Sequence, residues 1–232
     1  MFQIKIIDSR QYPDKSQQEK LRQHLEQDQI ACILTQIKKI LGPYSSVSPE
    51  DISVEIVDGD ISHGTIEGET VKLPLLGHQA SIDLAKEKAR MLGVDNLPEP
   101  QCEKAILTIT ASKILHEAVH GLLESRPGTR FLTDLEMISG VSDEQAERAT
   151  LLDEGIAHAV QGLYAKSMEP FGYLGPQISL NDELIVQQRK KLGKKLEPII
   201  KEYFNNSQPL DDRFLSVANQ YLIEVQKETA SV

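Results

Sequence analysis

The feature that most constrains the fold is a helical stretch from about Cys102 to Glu124 that is apolar on nearly every side. Its apolar residues recur three and four positions apart, but they are not confined to one stripe. A helix with this pattern is normally buried inside a protein. We therefore expect it to lie in the core, and we expect any polar side chain on it to need a partner, because an unpaired buried polar group is costly.

Composition and charge limit the class of protein. A length of 232 residues fits one full-sized domain better than two, and 40% hydrophobic with 26% charged residues is typical of soluble globular proteins. The formal net charge of -10 argues against nucleic acid as a partner, and no apolar run is long enough to cross a membrane. The N-terminus lacks the cleavage site of a secretory signal, so we expect a cytoplasmic protein in which Cys32 and Cys102 stay reduced.

Periodic patterns elsewhere in the chain predict an α+β fold, with a small mixed sheet near the N-terminus and helices after it. Alternating apolar and polar residues indicate the strands, and apolar residues three or four positions apart indicate the helices. Gly42 and Pro43 should end a helix, because glycine tolerates left-handed backbone and proline cannot continue the helix. The predicted elements are strands at 1–8 and 52–56, a hairpin at 65–73, and helices at 13–41, 81–92, 142–166 and, as an amphipathic pair, 181–229.

The apolar stretch contains an H-E-x-x-H pattern formed by His116, Glu117 and His120. Positions four apart lie one turn apart on the same helix face, so both imidazoles can converge on one Zn²⁺ ion. Glu117 is rotated off that face, where a general base for a zinc-bound water belongs. A random chain of this composition would contain the pattern at about one percent frequency. The alternative is a pair of core histidines that bond to carbonyls or carboxylates.

A catalytic zinc ion needs a third protein ligand and an open position for water. The metzincin pattern fails, because this chain has Leu123 and Arg126 where that pattern requires glycine and histidine. The following helix offers Glu154, and the small residues Gly155 and Ala157 beside it would let two helix backbones approach closely. We therefore predict Glu154 as the third ligand. With so few cysteines, the site must use histidine and carboxylate, which is more typical of catalytic than of structural zinc.

The H-E-x-x-H pattern and the downstream helix carrying E-G-x-A resemble the gluzincin group of zinc metallopeptidases between about residues 113 and 160. The resemblance implies that His116, His120 and Glu154 bind zinc and that Glu117 activates water. It further implies a zincin-like fold with a metal-binding helix, a glutamate helix and a helical C-terminal part.

The whole chain is then interpreted as one zincin-like domain over 1–232. Within it we distinguish a mixed α/β part over 1–100, the metal-site helices over 101–168 and the helical C-terminal part over 169–232.

Peptide hydrolysis also needs a hydrogen-bond donor for the developing oxyanion, typically tyrosine or histidine in this group. Tyr173 lies in a glycine-flanked loop that can present a side chain to a cleft, so it is the first candidate. His158 stands one turn after Glu154 on the same helix face. It could be a hydrogen-bond partner of a ligand, an oxyanion donor or an alternative third ligand, in that order, or an ordinary surface or core histidine.

Three further features receive simpler interpretations. Asp153 is expected to be solvated or to pair within its own helix. The run from Arg189 to Lys195 holds five positive residues and is expected to form a solvated helix face, with contact to an anionic partner as the alternative. The segment from Thr70 to Leu73 is a candidate edge strand for binding extended substrate, or else part of an ordinary hairpin.

Together these patterns predict a zinc-dependent metallopeptidase that acts on a peptide or protein substrate, with Zn²⁺ as the cofactor. Glu117 would take a proton from the attacking water and pass it to the leaving amine. One alternative is a zinc hydrolase that acts on a non-peptide amide. The other is an inactive zincin scaffold that serves as a binding module.

Overall fold

A computed structural model of the chain describes residues 3–45, 47–58, 65–74, 78–91, 95, 97–123, 145–167 and 184–230. In this part the fold is α+β and mostly helical, with one small mixed sheet. The strands are β1 (Lys5–Asp8), β2 (Ser53–Val57), β3 (Thr65–Glu67) and β4 (Thr70–Pro74). The helices are α1 (Lys15–Gln27), α2 (Ile30–Leu41), α3 (His78–Met91), α4 (Glu99–Leu122), α5 (Gln145–Ser167), α6 (Leu184–Asn206) and α7 (Asp212–Ala230).

The prediction of an α+β fold is confirmed, but the helix predicted over 13–41 is two helices. The break falls at Gln29, whose φ of 54° is left-handed, and the peptide N–H of Asp28 bonds back to the carbonyl of His24. The apolar spacing continues across this break, so the periodicity gives no sign of it. Gly42 does end α2, as predicted, with a φ of 53° that a glycine adopts without steric cost.

The four strands are ordered β1-β2-β4-β3, with β1, β2 and β4 mutually parallel and β3 antiparallel to β4. The hairpin prediction is confirmed. Glu67 pairs with Thr70, so the loop consists of Gly68 and Glu69. Because β3 lies outside β4, the segment Thr70–Pro74 is an interior strand. Its interpretation as an edge strand was wrong, since a strand paired on both sides cannot accept a further strand.

Helix α4 lies at the centre of the described fold. It packs against α1, α2, α3 and α5 and against β3 and β4. Gly121, directly after His120, lies so close to Ile66 of β3 that a Cβ atom there would be 2.4 Å from the Ile66 Cδ1 atom. The C-terminal turn of α4 is thus seated on the sheet, as expected for a helix that is apolar on most sides. Among the described helices, none combines the length and the apolarity needed to cross a membrane.

Helix α5 runs antiparallel to α4, because Gln161 donates to the Ser112 hydroxyl at one end and Asp153 contacts His120 at the other. Helix α6 runs parallel to α5, because Arg189 contacts Glu154 and Gly193 lies against His158. Helix α7 packs beside both. The predicted glutamate helix over 142–166 therefore exists, although its first residues, 142–144, lie outside the described part. This arrangement brings the C-terminal half of α4 and the middle of α5 side by side.

Candidate metal centre

The antiparallel packing of α4 and α5 brings the predicted ligands together. Nε2 of His116 lies 3.2 Å from Nε2 of His120, and these atoms lie 3.5 Å and 3.9 Å from Oε2 of Glu154. The two histidines project from successive turns of α4, and Glu154 projects from α5 opposite them. Two nitrogen atoms and one oxygen atom thus face a common point.

These separations fit a metal ion. Tetrahedral zinc with bonds of about 2.1 Å places its ligand atoms about 3.4 Å apart, close to the three observed distances. Nδ1 of His116 is buried and has no hydrogen-bond partner among the described residues. A cation at the common point would accept the lone pairs of Nε2 of His116, Nε2 of His120 and Oε2 of Glu154.

Asp153 lies behind His120, where Oδ1 of the carboxylate is 2.9 Å from Nδ1 of the imidazole. Its predicted position in solvent was wrong, because Asp153 is buried where α5 meets α4. A neutral imidazole that donates Nδ1–H to a carboxylate presents the lone pair of Nε2 to the cluster. Burial would lower the pKa of His120, but the hydrogen bond and charge of Asp153 outweigh it and the pKa is raised.

Glu154 is held ionised by its neighbours. Burial alone would raise its pKa, but the hydrogen bond from His116 and the charges of His120 and Arg189 bring the pKa well below its usual range. An ionised carboxylate is the form in which glutamate binds a metal ion.

His158 forms a second triad with His116 and Glu154, whose ligand atoms all lie within 4.8 Å of one another. Nε2 of His158 is 4.0 Å from Oε2 of Glu154, and the rings of His116 and His158 are 4.7 Å apart. Burial and the neighbouring His116 lower the pKa of His158 to about 4, so its imidazole is neutral at neutral pH. The ligand atoms of His116, His120 and Glu154 lie closer together than those of His116, His158 and Glu154. His158 therefore lies at the rim of the same cluster.

Glu117 occupies the turn between the two histidines of α4 and is largely buried. Burial and the charge of Glu154 raise its pKa, although His116 and His120 pull it down. A carboxylate with a raised pKa is better matched to accepting and returning a proton near neutral pH.

Like Asp153, Arg189 of α6 lies at this site although its place in the sequence predicts no role there. Its Nη1 atom lies 2.9 Å from Oε1 of Glu154, and 27% of its side chain is exposed. The interpretation of the basic run as a wholly solvated face was therefore wrong at Arg189, while Lys195 pairs with Glu224 and Glu228 on the outside of α7. A glycine one turn later, Gly193, was the available signal that this face of α6 meets another helix.

Gly155, one of the two small residues beside Glu154, serves a different helix pair from the predicted one. A Cβ atom at Gly155 would lie 2.7 Å from Cγ of Leu192, so this glycine allows α6, and not α4, to approach α5. A Cβ atom at Gly193 would lie 2.6 Å from Cβ of His158. The close approach was correctly expected, but its partner was not.

Tyr173, the first candidate for the oxyanion donor, lies outside the described residues. A cavity of about 280 Å³ lies elsewhere, between β1 and the α1–α2 pair, with Ile6, Leu25 and Cys32 among its lining residues. The side chains of His116, His120, Glu154 and His158 do not line this cavity. We therefore do not connect the cavity with the metal centre.

Comparison of the chain with known protein families, with curated proteins and with solved structures found no match.

Proposed function

We propose that this protein is a zinc-dependent metallopeptidase with a zincin-like arrangement of its metal helix and glutamate helix. The observation that carries the proposal is the convergence of Nε2 of His116, Nε2 of His120 and Oε2 of Glu154 within 3.9 Å of one another. The carboxylate of Asp153 supports it further, because such partners orient the histidine ligands of metal ions.

In this proposal His116, His120 and Glu154 hold the zinc ion. When bound, zinc polarises a carbonyl group and lowers the pKa of a water ligand. Two neutral imidazoles and one carboxylate leave a position open, as catalytic zinc sites require.

Glu117 acts as the general base and then as the general acid. Its carboxylate takes a proton from the attacking water and returns it to the nitrogen of the leaving amine. His158 stands at the rim of the cluster, where a neutral imidazole can donate to the oxyanion of the substrate.

The test is Glu117→Gln, which replaces the carboxylate by an amide of the same shape. We expect this variant to keep the metal content of the wild type and to cleave a peptide library at least about 100-fold more slowly, because general base catalysis is lost. Cleavage is measured by mass spectrometry of the digested library.

Glu103→Gln is the matched control, since it makes the same change on the same helix at a residue that pairs with Lys20 away from the cluster. It should cleave at the wild-type rate. Wild-type activity in Glu117→Gln would exclude Glu117 as the base. Silence of the zinc-loaded wild type on every peptide would contradict the peptidase proposal and favour a binding scaffold.

A further inference from the structure

We propose that Arg189 is a positioning residue of the metal centre, which holds Oε1 of Glu154 so that Glu154 binds the metal through Oε2 alone. This inference rests on the proposed function in so far as it needs a metal at the cluster. It adds a third helix, α6, to a site otherwise built from α4 and α5.

The two oxygens of Glu154 have different partners. Oε2 faces the histidines, at 3.5 Å from Nε2 of His116 and 3.9 Å from Nε2 of His120. Oε1 faces Nη1 of Arg189 at 2.9 Å. An ion pair of this length restrains the rotation of the carboxylate about its last bond, because swinging Oε1 toward the histidines would break it.

The backbone of α6 is placed for this contact by two glycines. At Gly193 there is no room for a side chain, because a Cβ atom would lie 2.6 Å from Cβ of His158 and 3.4 Å from the carbonyl oxygen of Gly155. At Gly155 a Cβ atom would in turn meet the side chain of Leu192. Arg189 precedes Gly193 by one turn, as Glu154 precedes His158, so the parallel helices bring the guanidinium level with the carboxylate.

Holding one oxygen has a consequence for coordination. A carboxylate with both oxygens free can bind a metal ion through one or through both. If Glu154 bound through both oxygens, it would fill a position that a catalytic zinc site keeps open for water. Arg189 therefore favours a site with three protein ligand atoms and an open position.

The experiment compares Arg189→Met, Arg189→Lys and the control Lys194→Met with the wild-type protein. Methionine removes the donor and the charge while keeping an unbranched chain, and lysine restores one cationic donor. Lys194 belongs to the same basic run but is exposed. Each protein is loaded with zinc, whose affinity is measured by competition with a chelator, and separately with cobalt(II), whose visible absorption reports the coordination number.

We expect zinc affinity to fall about 10-fold to 100-fold in Arg189→Met, as for other groups that orient metal ligands. The cobalt spectrum should change from a four-coordinate to a weaker, five-coordinate form. Arg189→Lys should recover part of both properties, and Lys194→Met should match the wild type. Since Arg189→Lys is the milder change, it provides the comparison should the methionine variant fail to fold.

Unchanged affinity and spectrum in folded Arg189→Met, or in Arg189→Lys if only that variant folds, would overturn the inference. A fall in affinity with an unchanged spectrum would also overturn it, because the loss would then be general and not a change in how Glu154 binds. Absence of metal from the wild type would instead refute the proposed function, so the two failures are distinguishable.

Discussion

Glu154 lies among three histidines, and two of them compete to complete the ligand set with His116. Nε2 of His120 lies 3.9 Å from Oε2 of Glu154 and has Asp153 behind it, whereas Nε2 of His158 lies 4.0 Å away. These two distances to Glu154 are nearly equal. Which histidine completes the ligand set therefore depends on its distance from His116. His120 lies 3.2 Å from His116, nitrogen to nitrogen, and this close pairing favours it as a ligand.

The variants His120→Ala and His158→Ala test this choice. Loss of a ligand should lower zinc affinity by more than about 100-fold in His120→Ala, whereas His158→Ala should lower it by less than about 10-fold. Chelator competition measures both. The reverse order would mean that His116, Glu154 and His158 bind the metal.

The residues of the centre differ in how far sequence alone could identify them. His116, Glu117 and His120 lie within one turn and a half of one helix, so their relation follows from helix geometry. The roles of Asp153 and Arg189 depend on which helices pack together and at what height. Helix packing is determined by long-range contacts, and the spacing of residues along the sequence does not reveal these contacts.

Among the elements of the fold, α5 is the helix on which the site depends, and it packs closely against α6. Two glycines of α5 face α6 in different ways. A Cβ atom at Gly155 would lie 2.7 Å and 2.8 Å from two atoms of Leu192, whereas at Gly162 the nearest atom is the flexible end of Glu197 at 3.0 Å. Gly155 has no space for a methyl group. At Gly162 the side chain of Glu197 can move aside and make space for one.

Replacing each glycine by alanine therefore gives opposite expectations. Gly155→Ala should lower the free energy of unfolding by about 1–2 kcal/mol, because the overpacking outweighs the gain in helix propensity. Gly162→Ala should leave it unchanged or raise it by up to about 1 kcal/mol. Urea denaturation measures both, and equal effects of the two substitutions would contradict the packing described for α5 and α6.

The element boundaries were predictable where a local signal exists. Gly42 ends α2, and Gly68 turns the hairpin with a φ of 61°. The break at Gln29 has no such signal. Asp28 there accepts a hydrogen bond from the hydroxyl of Tyr164 on α5, so a contact between distant parts of the chain accompanies the break.

At the level of the whole molecule, a buried ion pair lies in the connection between the N-terminal sheet and the first helix. Nη2 of Arg10 lies 2.5 Å from Oδ2 of Asp8, and the side chains are 5% and 3% exposed. The same oxygen accepts the peptide N–H of Asp14, the residue that caps α1. The hydrogen bond from Arg10 holds the pKa of Asp8 below its usual range despite burial.

This pair predicts a pH dependence of stability. Because the pKa of Asp8 is lowered on folding, its contribution is present above the unfolded pKa of about 3.9 and is lost as the pH falls through the folded value. Asp8→Asn should lower the free energy of unfolding at pH 7 by about 3 kcal/mol, since the buried guanidinium of Arg10 loses the opposite charge of Asp8. It should also flatten the fall in stability between pH 5 and pH 3.

Denaturation curves at several pH values measure this prediction, and Glu67→Gln is the control. Glu67 forms an exposed pair with Lys72, so its replacement should leave stability almost unchanged. A decline toward pH 3 as steep in Asp8→Asn as in the wild type would assign the acid sensitivity to other carboxylates.

We propose that helices α4 and α5 hold a metal ion between His116, His120 and Glu154. Metal analysis of the purified protein, before and after reconstitution with zinc, is the decisive test. We predict about one zinc ion per chain in the wild type and a large loss in Glu154→Ala. Absence of zinc from both the purified and the reconstituted wild-type protein would contradict the claim.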